Sequence, residues 1–206
     1  MRKIFIIIML FTVQLYAQTV YELPFASEGN QIELAVANTT GEAFLNVTVN
    51  VESKPAWIKF KNTQFNIPVV ERANDIPALF EFSVDRRAPV GEEGKIVFVI
   101  NDPSGDKTAK EINVAVSKPV SYQLAQNYPN PFNPSTKIEF IIPDDEKVTI
   151  KVYDILGREV KTVLNEFREA GHHEIEFNAS QFASGTYIYR LTTGSFSQIK
   201  KMQLIK

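Results

Sequence analysis

Apolar and polar residues alternate along several short segments of this chain, and this alternation limits its fold more than any other feature. Between clusters of Gly, Pro, Asn and Asp, every second residue is apolar, as in 32–36 and 80–84. Successive side chains of a strand point to opposite faces, so a period of two predicts strands with one buried face. No segment keeps the 3.6-residue apolar spacing of a helix. The sequence therefore predicts an all-β protein.

The predicted strands fall into two groups. Those of the first group are 32–36, 45–51, 57–60, 65–69, 80–84, 95–100 and 111–116. Those of the second group are 137–142, 147–153, 159–164, 173–177, 186–192 and 196–205. Such a strand density is typical of an immunoglobulin-like sandwich. The chain has no Cys, so its likeness to immunoglobulin domains is one of architecture alone. Trp57 is predicted to anchor a core rather than to present a ligand platform.

A domain boundary is predicted near Pro119, because proline cannot donate to a strand ladder and holds Lys118 extended. Charge changes there as well: residues 18–120 carry a net charge of −4 and residues 121–206 a net charge of zero. We therefore predict two tandem immunoglobulin-like β-sandwich domains, at 18–118 and 122–206. Residues 119–121 would link them.

The first seventeen residues have the order of a signal peptide. Arg2 and Lys3 precede the apolar run 4–11, which is shorter than the roughly 20 residues of a membrane-spanning helix. Ala17 is a small residue at a suitable cleavage position. We therefore predict that residues 1–17 lie outside the fold and that the mature chain begins at Gln18 and contains no transmembrane segment. A buried N-terminal strand or helix is the alternative.

Composition disfavours several classes of function. A net charge of −2 argues against nucleic acid as a partner, and the absence of Cys with only 2 His leaves little material for catalysis. His172, Glu174 and Glu176 would share one strand face, which is more typical of a solvated face than of a metal site. The loop 101–106 lacks the distal Glu of a calcium loop and fits a hairpin turn. We predict no enzyme, no metal and no cofactor.

Several motifs of the second half occur together in a family-specific order. They are YPNPFNPSTKIEF from Tyr128, VTIKVYDILGREVKTV from Val148, Gly171-His172, ASGTYIYRL from Ala183 and the closing KKMQLIK. From about Tyr122 to Lys206 the chain resembles a type IX secretion C-terminal sorting domain, type A. That family is related in fold to the immunoglobulin-like domain of flagellar hook-capping proteins.

The resemblance implies which residues define the sorting domain. They are Tyr128, Pro129, Asn130, Pro131 and Phe132 in the opening motif, Asp154, Gly157, Arg158, Glu159 and Val160 in the central turn, Gly185, Tyr187 and Arg190 in the late hairpin, and Lys200, Lys201 and Lys206 in the tail. Small sandwiches need many of these residues for turns and packing, and both aromatic rings of the opening motif could insert at the edge of the sandwich. We expect the central turn to determine the fold and the last strand and tail to carry recognition. A solvated strand end is the alternative interpretation of the basic tail.

The resemblance also implies partners and a location. The Sec machinery would export the chain to the periplasm, and an outer-membrane type IX translocon with a sortase-type peptidase would then act on it. The protein would be secreted or held at the outer-membrane surface of a Gram-negative bacterium.

The role of residues 18–118 is open at this stage. The segment 88–91, Ala-Pro-Val-Gly, resembles bacterial immunoglobulin-like accessory domains. One hypothesis is a binding or adhesion module for a glycan or a surface protein, and another is a structural spacer or subunit of a surface assembly. A small hydrolase is disfavoured, because no Gly-x-Ser-x-Gly elbow is present. Exposed aromatic residues on one face would favour binding.

Overall fold

The computed structural model describes residues 3–8, 19–39, 41–102 and 104–206. These residues form two compact units, the first ending at Ser117 and the second beginning at Lys118. Every regular element among them is a β-strand, which confirms the all-β prediction. No helix in the described ranges is long and apolar enough to span a membrane.

The first unit contains two sheets. Its strands are β1 (Lys3–Ile8), β2 (Val20–Leu23), β3 (Asn30–Ala37), β4 (Phe44–Ser53), β5 (Ile58–Phe60), β6 (Gln64–Val70), β7 (Asp75–Val84), β8 (Glu93–Asn101) and β9 (Lys107–Val116). One sheet has the order β1-β3-β7-β5 and the other β2-β9-β8-β4-β6. Both contribute to one apolar core, in which the rings of Phe80 and Phe98 lie 5.0 Å apart, and Trp57 packs against that core while half-buried.

Strand β4 departs from the predicted alternation. The sequence places Leu45 on the same face as Val47 and Val49, yet Leu45 is 54% exposed while both valines are buried. Asn46 adopts a left-handed φ of 55° and has no partner in the β4–β6 register. The pairing keeps one register on both sides of Asn46, with Leu45 opposite Val69 and Val47 opposite Ile67, so the left-handed backbone at Asn46, and not an inserted residue, reverses the alternation. Phe44 therefore takes the place at the core that Leu45 was predicted to fill.

Part of the predicted signal peptide is paired with the first unit. Strand β1 runs parallel to β3, from Lys3 opposite Gln31 to Ile8 opposite Val36. This segment is predicted to lie outside the fold, with a buried N-terminal strand or helix as the alternative. The other side of β3 pairs with β7, so its remaining edge offers free backbone groups to an extended apolar segment. Ala17 and Gln18 lie outside the described residues.

The second unit also contains two sheets around its own core. Its strands are β10 (Gln123–Leu124), β11 (Ser135–Ile142), β12 (Glu146–Tyr153), β13 (Glu159–Arg168), β14 (Gly171–Asn178), β15 (Gly185–Thr192) and β16 (Ser197–Leu204). One sheet has the order β10-β11-β14 and the other β13-β12-β15-β16. The buried side chains come from both sheets, as in a sandwich. The short strands β2 and β10 were not predicted, because a strand of two to four residues is too short for its alternation to be recognised.

Candidate functional site

The proline-rich opening segment is fastened between β11 and the last strand, β16. Tyr128 exchanges two backbone hydrogen bonds with Lys137, at 2.9 and 3.0 Å. Further on, the Phe132 N–H donates to Gln203 O at 2.9 Å, and Phe132 O accepts from the Ile205 N–H at 3.0 Å. The peptide bonds before Pro129 and Pro131 are cis. The segment thus forms isolated bridges rather than a central strand.

The two aromatic residues of this segment have different environments. Phe132 is 1% exposed and packs near Phe177, with ring centroids 6.1 Å apart. Tyr128 is 80% exposed, so the expectation that both rings insert into the sandwich is wrong for Tyr128. Neighbouring side chains in extended backbone point to opposite sides, and Asn127 occupies the buried side.

Asn127 belongs to a buried polar network that was not predicted from the sequence. Its Nδ2 donates to Pro129 O and to Thr136 Oγ1, both at 3.0 Å. Its backbone N–H donates to the Tyr189 hydroxyl at 2.9 Å, and that hydroxyl donates to Ala125 O at 2.8 Å. Burial raises the pKa of Tyr189 to about 12. An Asn before the proline run was the available signal, because a buried amide must find several partners.

The motif at 154–158 forms a tight turn between β12 and β13. The Gly157 N–H donates to Asp154 O at 3.0 Å, and Asp154 Oδ1 accepts the N–H groups of Leu156 and Arg158 at 2.9 and 3.0 Å. Arg158 Nε lies 2.7 Å from Asp154 Oδ2. Gly157 has a φ of 79°, a conformation that costs a side-chain-bearing residue free energy. Asp154, Gly157 and Arg158 therefore shape the turn.

Other predicted residues also make structural contacts. Glu159 Oε2 forms an ion pair with Lys151 at 2.8 Å, and the hydrogen bond from Lys151 lowers the pKa of Glu159. Val160 packs partly buried on the core. Tyr187 is buried, and its hydroxyl donates to Ala183 O at 2.8 Å. Asn130 Oδ1 accepts the Gln203 N–H at 2.9 Å, so the opening motif contacts the last strand through a side chain as well.

The basic tail is not one cluster. Lys200 lies opposite the buried Tyr189 and is half-buried, whereas Lys201 lies opposite Ile188 and is exposed. Consecutive residues of a strand face opposite sides, so the two ammonium groups belong to different faces. Lys206 donates to Ser180 O at 2.8 Å. The three lysines that the sequence groups as one basic tail therefore occupy separate places.

On the outward face of β15, Arg190 lies opposite Ile199 of β16. Its guanidinium lies 5.1 Å from the Tyr153 ring centroid, at the end of β12. Tyr153 is opposite Ile188, which in turn is opposite Lys201. Tyr153, Ile188 and Lys201 therefore form one row across β12, β15 and β16, and the turn begins directly after Tyr153.

The strand face with His172 pairs with charged and apolar residues of β11. His172, Glu174 and Glu176 lie opposite Ile141, Glu139 and Lys137, as alternation requires. His172 Nε2 lies 3.4 Å from Glu139 Oε2. Among the described residues, no group of three or more His, Cys, Asp or Glu side chains is arranged to hold a metal ion.

A cavity of about 360 Å³ lies at one end of the first unit, where its two sheets meet the 101–106 loop. Its apolar wall includes Phe44, Val70 and Ile100. Its rim includes Asp102, whose Oδ1 accepts the backbone N–H groups of Ser104 and Asp106 at 2.9 and 3.0 Å. The hydrogen bond from the Ser104 hydroxyl lowers the pKa of Asp102. This loop is a hairpin turn between β8 and β9, as predicted, and it leaves one apolar recess open.

The full chain has distant structural likenesses to several solved structures. It is similar to dimeric latent PorU from Porphyromonas gingivalis, with 14% identity, 92% of this chain and 19% of that chain covered and a TM-score of 0.35. It is similar to the secreted serine protease VesC from Vibrio cholerae, with 9% identity and a TM-score of 0.32; the match covers 90% of this chain and 50% of that chain. It is also similar to the periplasmic chaperone SfaE, with 12% identity and a TM-score of 0.34; the match covers 91% of this chain and 96% of that chain. At these TM-scores the likenesses support no argument.

The chain thus spans only 19% of the PorU chain that it matches. No curated protein sequence matches the chain. A family match covers a defined part of it: residues 126–206 match the family described as "Secretion system C-terminal sorting domain". These residues include the opening segment, the central turn and the last strand, and they lie within the second compact unit. Residues 126–206 are therefore a C-terminal sorting domain of the type IX secretion family, and the chain that carries them is directed to the cell surface or the exterior.

Proposed function

We propose that this chain is an exported bacterial protein in which the second unit is the export signal and the first unit is its cargo. The match of residues 126–206 to the sorting-domain family carries the proposal. The Sec machinery would take the precursor to the periplasm by means of residues 1–17, and the type IX translocon would recognise the sorting domain there. A sortase-type peptidase would remove that domain, leaving the cargo at the surface or in the medium. The proposal includes no enzymatic activity and no cofactor.

The geometry supports a domain that acts as a folded signal. Its opening segment and its closing strand are joined by hydrogen bonds between Phe132, Gln203 and Ile205. Its core is made of its own residues alone. A receptor can therefore meet the same surface whatever cargo precedes Lys118.

The experiment is a reporter fusion in a host with a working type IX system. A signal peptide and a fluorescent protein are placed before residues 121–206, and the signal peptide with the fluorescent protein alone is the control. We expect the complete fusion at the surface or in the medium and the control in the periplasm. Equal distributions of the two would refute the proposal.

The signal peptide is tested separately on secreted material. Cleavage after Ala17 gives an N-terminal sequence that starts at Gln18. A mature protein that still starts at Met1 would contradict the Sec step of the proposal.

For the first unit we favour a binding module, and the cavity beside the 101–106 loop is the observation that supports it. A volume of about 360 Å³ with apolar walls and a few polar groups at its rim is in the range of small-ligand sites. A glycan or a surface-protein segment would enter at the Asp102 side. An array of glycans and matrix proteins probed with residues 18–118 tests this function. A Val70→Trp variant, whose larger side chain fills the cavity, is the matched control and should lose the binding.

A structural spacer is the second candidate. Among the described residues of the first unit, Leu45 and Leu79 are the exposed large apolar side chains, and no aromatic side chain there is exposed. A surface of this composition suits a spacer or a subunit of a surface assembly. An array without any specific ligand, together with retention of both units in the mature protein, would favour this candidate.

A further inference from the structure

The turn between β12 and β13 holds two apolar side chains in solvent. Ile155 is 72% exposed and Leu156 is 73% exposed. The backbone around them is fixed by the bonds of Asp154 with the N–H groups of Leu156 and Arg158. A tight turn of this type needs Asp and Gly, while its tip is usually polar. Folding of the turn therefore does not account for these two side chains.

The outward face of β15 and β16 adjoins the end of β12 at which the turn begins. Tyr153 at the end of β12 is opposite Ile188, and Ile188 is opposite Lys201. In the next row Arg190 is opposite Ile199, which is 56% exposed. Residues directly opposite in a sheet share a face, so these side chains lie on one outward face, and the turn that carries Ile155 and Leu156 begins directly after Tyr153 at the end of that face. We call this face and the turn together the turn face; its members are Ile155, Leu156, Ile188, Arg190, Ile199 and Lys201.

The turn face carries uncompensated positive charge. Within the part of the chain that the structure describes, neither Arg190 nor Lys201 has a carboxylate partner, and Arg190 instead stacks on Tyr153. The nearby Lys151 is already paired with Glu159. Exposed apolar side chains next to Arg and Tyr are typical of protein interfaces. Binding to an anionic membrane usually needs clusters of about 4–8 basic residues, which this face does not provide.

We propose that the turn face is the docking surface of this sorting domain, for a partner protein that offers an apolar recess bordered by carboxylates. Ile155 and Leu156 insert into the recess, and Arg190 and Lys201 pair with the carboxylates. Asp154, Gly157 and Arg158 are positioning residues that hold the apolar pair in place. This proposal rests on the proposed export function and names the surface that the export machinery recognises.

The first test changes the apolar pair in the full chain, produced in a type IX host and detected with an antibody against residues 18–118. We expect Ile155→Ser with Leu156→Ser to reduce export about tenfold or more, because two central interface residues usually contribute at least that much to affinity. Val120→Ser with Phe167→Ser is the matched control, since both of these side chains are exposed and apolar in the same unit. Its export should equal that of the wild type.

Outcomes of this test separate the two proposals. A wild-type chain that is not exported refutes the export function itself. If the wild-type chain is exported and the Ile155/Leu156 variant is exported equally well, only the turn-face proposal is overturned. Thermal melting of each purified variant shows whether the fold is kept. If the melting temperature of the Ile155/Leu156 variant is lower, the second test decides.

The second test leaves the fold nearly unchanged. A photoreactive amino acid replaces Leu156 in the full chain, and its cross-links are compared with those of a chain that also carries Arg190→Glu and Lys201→Glu. We expect a protein adduct in the envelope that the charge reversals abolish and that Lys147→Glu, a single change on the same sheet, leaves intact. An adduct with a second copy of this chain or with lipid, or an adduct insensitive to the charge reversals, overturns the proposal.

Discussion

Single side chains inside the sorting domain are held by hydrogen bonds that leave little freedom for substitution. The Tyr189 hydroxyl joins Asn127 N–H and Ala125 O, two backbone groups on the segment that leads into the proline-rich motif. A buried backbone group without a partner costs more free energy than a hydrogen bond between two partners gains. The Tyr189 phenol therefore adds to the backbone bridges that hold the opening segment.

We predict that Tyr189→Phe lowers the free energy of unfolding of the second unit by about 1–3 kcal/mol, because both backbone groups lose this partner. Denaturant unfolding of the full chain, followed by the transition of that unit, measures the change. Tyr128→Phe is the control: its side chain is exposed, and the change should matter by less than about 0.5 kcal/mol. Equal stabilities for the two variants would contradict the role given to the network.

His173 gives the second unit a pH dependence near neutrality. Its ring lies 5.1 Å from that of Phe140, and its Nε2 lies 2.7 Å from Glu169 O. Burial lowers the pKa of His173 below its ordinary value of 6.5, and the charges of Arg168 and His172 act in the same direction. As the pH falls below about 6.5, the unfolded chain therefore takes up a proton before the folded chain does. The stability that neutral His173 contributes is present above that pH and is lost below it.

We predict that lowering the pH from about 7.5 to about 5.5 reduces the melting temperature of the wild type more than that of His173→Gln. Gln keeps a donor for Glu169 O but does not titrate. Aspartates such as Asp145, whose pKa is lowered by the hydrogen bond from Ala170 N–H, titrate at lower pH and affect both proteins equally in this window. A variant with the same pH response as the wild type would exclude His173 as the source.

At the scale of elements, alternation within a strand decides which residues can act together. It separates Lys200 from Lys201, and it joins Lys201 to Ile188 and Tyr153 through strand pairing. A left-handed residue such as Asn46 in β4 reverses the pattern and changes which side chains are buried. The turn between β12 and β13 has a similar local origin, because it depends on the φ of Gly157 and on a carboxylate at its start.

We predict that Gly157→Ala destabilises the second unit by roughly 1–2 kcal/mol, because a Cβ disfavours a φ of 79°. Gly194→Ala is the control, since Gly194 has no left-handed φ and an added Cβ would meet only Glu146 Oε2, at 3.9 Å. Denaturant unfolding of both variants measures the difference. If Gly157→Ala were as stable as the control, the turn would not depend on glycine.

At the scale of the whole molecule, the chain contains two separate cores. The buried cluster of the first unit ends at Val116, and that of the second begins at Leu124. Each unit closes its own pair of sheets, so neither needs the other to bury its apolar side chains.

We predict that residues 18–118 and 121–206 each fold alone and each melt in one cooperative transition. Circular dichroism during heating of the two separate fragments tests this. Their melting temperatures should match two transitions of the full chain. A fragment without a cooperative transition would show that the two-core description is incomplete.

The fold class and most of the strands follow from the amino-acid sequence without any tertiary information. The period of two comes from backbone geometry that is the same in every strand, so 32–36, 80–84 and 186–192 could be recognised locally. The turn at 154–157 is equally local, since Asp and Gly occur where the hydrogen bonds and the positive φ need them. The sorting domain was predicted from several motifs that occur in the family's order, from the proline-rich segment to the closing segment.

Which residues meet, by contrast, depends on how the strands pair and pack. The exposure of Tyr128, the network around Tyr189, and the row formed by Tyr153, Ile188 and Lys201 all need pairing between segments far apart in the sequence. Local rules state that a side chain points to one side or the other, but not which neighbouring strand it will face. That choice is made when two sheets bury their apolar faces together, because one register satisfies packing and backbone hydrogen bonding at once.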